Sequence, residues 1–293
     1  MSSIIEITLG GLFHAAVLFL VAAGLQLVFG VQKIVNLACG AFYALGAYVG
    51  ASAAGWAMQA GLPAPVVLVV MLLAGLAAAV AGPPIEWLLR RIYDRDESFQ
   101  LLFTFALLLI FQDFFRIIWG ANPQTTGALY LNCGTLHLGL VRTPTYKVIV
   151  ILTAIAVATG LGWVLQRTNF GRLLRATAEN RAMAEAVGVN VQAMSAAVFT
   201  LGVALGTVGG ALVVPSAAAS LDMAAELVVE AFAVVVIGGL GSMRGALWGA
   251  AIVGLIRAAA ITFYAEFELL AVYAIVIAVL LLKPTGLFGR EAT

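Results

Sequence analysis

The chain has 293 residues, 63% hydrophobic and 10% charged, with a mean hydropathy of +1.09. Soluble domains carry roughly a quarter charged residues, so this composition excludes an ordinary soluble fold and predicts that most side chains face lipid or one another. A formal net charge of +1 leaves no basic excess for nucleic acid, and two cysteines, Cys39 in an apolar stretch and Cys133 in a polar one, do not make a disulfide framework.

A membrane-spanning helix needs about 20 largely apolar residues rising 1.5 Å each. In chain order the sequence offers about nine such stretches: 7–29, 37–56, 64–82, 98–119, 146–166, 194–214, 227–240, 245–263 and 267–283. The expected fold is all-α, a polytopic bundle of 8–9 spans, with residues 1–293 forming one transmembrane domain and a polar loop at 167–190 inside it. The opening MSSIIEITLGG has no basic n-region and runs on to spanning length, so the first span reads as a retained helix. The seventh stretch is short and ends in Gly238, Gly239 and Gly241, the pattern of a broken or re-entrant segment.

Basic residues sort the loops. Lys33, Arg90, Arg91, Arg95, Arg167, Arg172, Arg175, Arg181, Arg244, Lys283 and Arg290, most of the 15 basic residues, fall in one alternate set. Arg116, Arg142 and Lys147 fall in the other, and Arg257 lies within a span. Because basic loops stay in the cytoplasm, the N-terminus is expected outside, the C-terminus inside, and 167–193 in the cytoplasm. The loop from Gly120 to Thr145, with Asn122, Pro123, Gly127, Asn132, Gly134 and Pro144, is then expected on the outer face.

Glycine occurs 31 times and clusters within spans: Gly40, Gly46 and Gly50; Gly202, Gly206, Gly209 and Gly210; Gly245, Gly249 and Gly254. Small residues four apart let helix backbones approach closely in lipid, so tight packing is expected of most of them. GAFYALGAYVG from Gly40 and GALWGAAIVG from Gly245 echo one another faintly, with a gap.

No catalytic constellation is visible. His14 and His137 are far apart with no Cys or Glu at metal spacing, and no GxxxxGK[ST] pattern occurs. The costly polar residues within spans are Gln26, Lys33, Asn36, Thr104, Gln112, Asp113, Arg116, Glu230 and Arg257. Asp113 and Arg116 are expected to pair locally, and Lys33 to snorkel. Asn36 and Glu230 stand beside the glycine breaks at Gly40 and Gly238, as a translocation pathway would need, although Glu230 reads equally well as an interfacial carboxylate near Glu226. Phe42, Tyr43 and Tyr48 either line a passage or simply pack.

The island RTNFGRLLRATAENRAMAEAVGVN, Arg167 to Asn190, holds four arginines and two glutamates. It reads as one helix, started by Asn169 and stopped by Gly188, with Arg175 and Glu179, and Arg181 and Glu185, spaced to pair. Leu173, Ala176, Asn180, Ala184 and Val187 share a shallow apolar face suited to a groove in a partner protein. The other reading is a helix lying on lipid headgroups.

GRLLRATAENRAMAEAVGVNV resembles the coupling loop of ATP-binding-cassette permeases of the branched-chain amino acid class, with Arg175, Ala176, Ala184, Gly188 and Asn190 on its characteristic positions. VFGVQKIVNLACGAFYALGAY, IEWLLRRIY, FTFALLLIFQDFFRIIWG and AFAVVVIGGLGSMRGALWG extend the resemblance over nearly the whole chain, departing at Arg244, where the class often has proline. The resemblance implies the smaller permease of a bacterial inner-membrane uptake system without cofactor or ATPase site of its own. It implies a second, related permease, two ATPase subunits and a periplasmic binding protein as partners, and branched-chain amino acids, urea, amides or aromatic acids as solutes. Arg175, Ala176, Glu179, Asn180, Ala184 and Gly188 would couple to the ATPase; Asn36, Gly40, Glu230, Gly238, Gly239 and Gly241 are the pathway candidates. An ion-coupled secondary transporter ranks second and an intramembrane enzyme last.

Overall fold

The computed structural model describes residues 2–93, 95–138, 141–283 and 286–288; Arg290 lies outside them. The first helix, α1 (Ser2–Gln32), runs the length of the first apolar stretch and stops at Lys33, whose φ is +58°. Non-helical residues 34–38 lead into α2 (Cys39–Gln59). Pro63 precedes α3 (Ala64–Ala78), and this span does not end near residue 82 as hydropathy predicts. It tightens into a 3-10 turn at 79–81, continues as α4 (Gly82–Leu89), and reaches Ile92. Pro83 and Pro84 have no backbone N–H for the preceding turn, so the helix readjusts there.

Helix α5 (Glu97–Trp119) ends at Gly120, φ +82°. The following segment, expected as loop, contains α6 (Gly127–Asn132) and an antiparallel hairpin of β1 (Thr135–Leu138) and β2 (Val141–Pro144). Next come α7 (Thr145–Arg167), α8 (Asn169–Glu179), α9 (Arg181–Ala186) and α10 (Val191–Val213). The chain closes with α11 (Met223–Gly238), α12 (Met243–Phe263) and α13 (Glu268–Leu282). Every expected span is a helix; among the described residues, 6 are long and apolar enough to cross a membrane unaided.

Two faces follow from the alternation of loops. On one, the basic face, Arg90 donates to Gln192 and the Arg181 guanidinium lies 6.0 Å from the Tyr93 ring, bringing together loops far apart in sequence. The opposite, hairpin face is joined by a bridge between Gln124 and Ala219 and by the Trp119 indole donating to Ser52 at 2.8 Å.

The core sits on α1, α2 and α10, with α11 and α12 packed on them. Of α1's apolar window 83% is buried, against 17% of α7's, so α7 is peripheral. The seams are made by backbone approach, as glycine spacing predicts. A Cβ at Gly210 would lie 1.8 Å from the Tyr43 carbonyl oxygen, and one at Gly46 1.9 Å from that of Thr207. Phe42 and Tyr48 pack: the first meets Phe111 and Phe199 edge-on, the second lies against Phe115 and Trp119. Helix α11 is about 24 Å long and α10 about 34 Å at 1.5 Å per residue. The difference is filled on the hairpin face by the loop 214–222, whose Val214 and Ala219 are fully buried.

Candidate functional site

On the basic face, α11 ends at a turn that only a flexible backbone follows: Gly239 has φ +94° and Gly241 +79°. At its start Gly238 faces Gly245 of α12 so closely that a Cβ on either would come within 2.2 Å of the other's carbonyl oxygen. Unwound backbone at this depth needs partners, and Gln26 of α1 supplies them. Its amide nitrogen donates to Gly239 O at 2.9 Å, and its carbonyl oxygen accepts from Gly241 N at 2.5 Å. Ser242 caps α12, accepting from Gly245 N, and Leu287 and Phe288 donate to the last carbonyls of α11. The second break, 34–38, is held by Asn36, whose Oδ1 accepts from Ala38 N at 3.0 Å. Asn36 also lines a space of about 10 Å³ where α1, α2 and α10 meet, and Gly40 lies against Ala224 of α11.

The island folds as two helices, not one. Asn180 is the joint: its backbone leaves the helical region at φ −151° and ψ 101°, and its side chain accepts from Met183 N to cap α9. Thr168, not Asn169, caps α8, accepting from Gly171 N, while the Asn169 side chain accepts from Arg172. Gly188, φ +88°, terminates α9 as expected. Of the two expected ion pairs, Arg181–Glu185 forms at 3.8 Å. Arg175 instead turns back to the carbonyl of Leu165 at the end of α7, bracing α8 against it.

The bend changes the composition of the apolar face. Ala184 is buried at 3% exposure in this chain's own packing, so it leaves the face to which helical spacing assigned it. Leu173, Ala176, Asn180 and Val187 remain exposed, and Met183, 62% exposed, joins them. Behind this surface, the almost fully buried Glu86 carboxylate accepts from Arg90 at 2.7 Å and from the Tyr93 hydroxyl at 3.2 Å. Burial first, and then the Glu86 charge, hold the Tyr93 phenol well above its usual range, so it donates at neutral pH. Sequence reading passed over Glu86, although its spacing four residues before Arg90 carries the signal.

Near the hairpin face Glu230 is no interfacial carboxylate. It is 6% exposed, and Arg257 of α12 donates to both its oxygens at 2.7 Å. The same guanidinium reaches Glu268 at the start of α13, so one cation joins three helices and leaves one negative charge in excess. Glu226, one turn away, is exposed. Asp113 and Arg116 do not pair; both are exposed near the end of α5, where solvent competes for them.

A family model described as "Branched-chain amino acid transport system / permease component" matches residues 7–282. The chain belongs to this family. Among its relatives, the high-affinity branched-chain amino acid transport system permease protein LivH of Salmonella typhimurium is 26% identical over 283 residues, covering 92% of this chain and 91% of the relative. The corresponding BraD of Pseudomonas aeruginosa is 24% identical over 290 residues, with 96% and 94% covered. A probable LivH of Methanocaldococcus jannaschii is 28% identical over 303 residues, with 96% and 91% covered. The protein is therefore a multi-pass membrane permease of an amino-acid transport family.

In this permease the expected pathway residues lie in separate places. Gly238, Gly239 and Gly241 form the turn on the basic face, Asn36 holds the break after α1, Gly40 lies against Ala224 in the first turn of α11, and Glu230 pairs with Arg257, so the structure does not gather them into one site. Gln26, the residue that ties the glycine turn to α1, was visible only as one polar residue within a span.

Proposed function

We propose that the chain is the translocating subunit of an ATP-driven importer in a bacterial inner membrane. It pairs with a second, related permease, docks two ATPase subunits below and receives solute from a binding protein above. In this reading the basic face is cytoplasmic, the N-terminus lies outside and the C-terminus inside. Residues 1–293 act as one permease domain, with 167–190 as its coupling loop. The solutes are branched-chain or other hydrophobic amino acids, or related small molecules such as urea, amides and aromatic acids.

The observation that carries this reading is the bent α8–α9 pair: braced behind through Arg175, Asn180 and the Glu86–Arg90–Tyr93 cluster, it presents exposed apolar side chains to water. Ala176, Asn180 and Gly188 supply the surface of the joint, Arg175 and Glu179 its inner side against α7 and the cleft, and Ala184 its internal anchor. Asn36, Gly40, Glu230 and the glycine turn are the pathway elements.

Reconstitution with the candidate ATPase subunits tests it. The subunits should co-elute, and uptake should stop with vanadate and persist when the proton gradient is collapsed. Uptake that ignores vanadate and fails with the gradient would establish ion-coupled transport instead.

A further inference from the structure

On the basic face a cleft of about 890 Å³ opens between α1, α7, α8 and the start of α12. Its deep wall is apolar and comes from the spans themselves: Phe19 and Leu27 of α1, Leu165 of α7, Leu247 of α12. Its rim is cationic, with Lys33, Arg175 and Arg244 against one carboxylate, Glu179. Among the described residues none of the three cations has an acidic partner: Lys33 lies 5.9 Å from the Phe29 ring, and Arg175 donates to a backbone carbonyl. The charge excess is thus open to an anion, directly above an apolar wall at membrane depth.

We infer that this cleft binds an anionic phospholipid, its phosphate among Lys33, Arg175 and Arg244 and an acyl chain along Phe19, Leu27 and Leu247. Basic pockets between spans on the cytoplasmic side hold such head groups by this combination of charge and apolar contact. A zwitterionic amino acid brings its own ammonium and leaves the excess cations unanswered. An ATPase would meet the other side of α8, where Leu173 and Ala176 are exposed, whereas Leu174 and Ala178 face the cleft. The inference depends on the proposed orientation only in naming the cytoplasmic leaflet.

The test is native mass spectrometry of the purified full-length chain titrated with palmitoyl-oleoyl phosphatidylglycerol, with the matching phosphatidylcholine, and with inorganic phosphate as competitor. Phosphatidylglycerol should be retained in preference to phosphatidylcholine and resist phosphate. A cation near an anionic lipid surface is worth about fivefold in affinity. Lys33→Gln, Arg175→Gln and Arg244→Gln together should therefore lower phosphatidylglycerol affinity on the order of a hundredfold. Arg116→Gln, at the far end of α5, should leave it unchanged, and Lys33→Arg with Arg175→Lys and Arg244→Lys should retain it. Equal retention of the two lipids, displacement by phosphate, insensitivity to the triple neutralisation, or loss in the charge-conserving variant overturns the proposal. Co-elution of the ATPase subunits is read separately: its failure alongside charge-dependent lipid binding removes the coupling reading and leaves the lipid site standing.

Discussion

Replacing Gln26 by leucine removes both hydrogen bonds that fasten the glycine turn to α1 while keeping a side chain of similar bulk. The Gly239 carbonyl keeps one weaker partner, Ser242 N at 3.3 Å, and Gly241 is an exposed residue lining the cleft, where water can take the place of the lost acceptor. Neither group is therefore left wholly orphaned, and the cost is close to the net value of two hydrogen bonds, about 2 kcal/mol. Two measurements read this: the midpoint of thermal unfolding of the purified chain, and hydrogen exchange of a peptide covering 237–246. The midpoint should fall on the order of 5 °C, and exchange should quicken by roughly thirtyfold as local opening becomes easier. Gln26→Glu should cost more than leucine, because it sets a carboxylate oxygen against the Gly239 carbonyl. A leucine variant that melts and exchanges like the wild type would refute the view that Gln26 is what holds the turn.

Three further outcomes are expected. Gly210→Val drives a side chain into the Tyr43 backbone and should prevent recovery of folded chain from detergent extracts, since neither backbone can yield. Met183→Asp with Val187→Asp should abolish co-elution of the ATPase subunits with an unchanged melting midpoint, whereas Ala184→Arg should lower the midpoint because Ala184 is buried within the chain. Arg90→Met strands the buried Glu86 carboxylate with the Tyr93 hydroxyl alone and should cost about 3 kcal/mol of stability. Adding Glu86→Leu should recover most of that loss, a non-additivity that a thermal double-mutant cycle measures.

The number and place of the spans were legible because lipid imposes one strong rule, a long apolar stretch for every crossing. The tight seams were legible too, since glycine is what close backbone approach requires. What hydropathy could not show was the continuation of the third span past Pro83 and Pro84, where a helix shorter in hydropathy than in fact is carried on by a 3-10 turn. The joint at Asn180 was hidden for a related reason: asparagine is tolerated inside a helix, and only the competition of its side chain for Met183 N marks it as a cap. The partners of Arg257 lie 11 and 27 residues away and those of Gln26 213 and 215, beyond the three- or four-residue spacing that a helix pattern reveals. The family was readable from its glycine-rich and coupling segments, whereas individual contacts depended on which helices meet.

The two faces are held by different physics, and the difference bears on movement. Through the middle of the bundle, α1, α2, α10, α11 and α12 meet backbone to backbone, and in lipid such seams owe their cohesion to contact alone. Separating them would open voids that no flexible side chain could fill. At the hairpin face, Arg257 ties α11, α12 and α13 with charge-assisted bonds, and the Gln124–Ala219 bridge closes the loops above. The basic face is built otherwise: the helices are interrupted at 33–38, at Asn180 and at 239–242, and these interruptions are held by a few polar groups, Asn36 at the first, Asn180 at the second, and Gln26 with Ser242 and the backbone of Leu287 and Phe288 at the third. Bonds of that kind are worth about 1 kcal/mol each and re-form with water when broken. Beside these joints, α7 and α8 touch the core mainly along α1, across the cleft. A force applied to α8–α9 therefore meets its least resistance on the face where it is applied, and the glycine seams carry it to the far side as a rigid displacement.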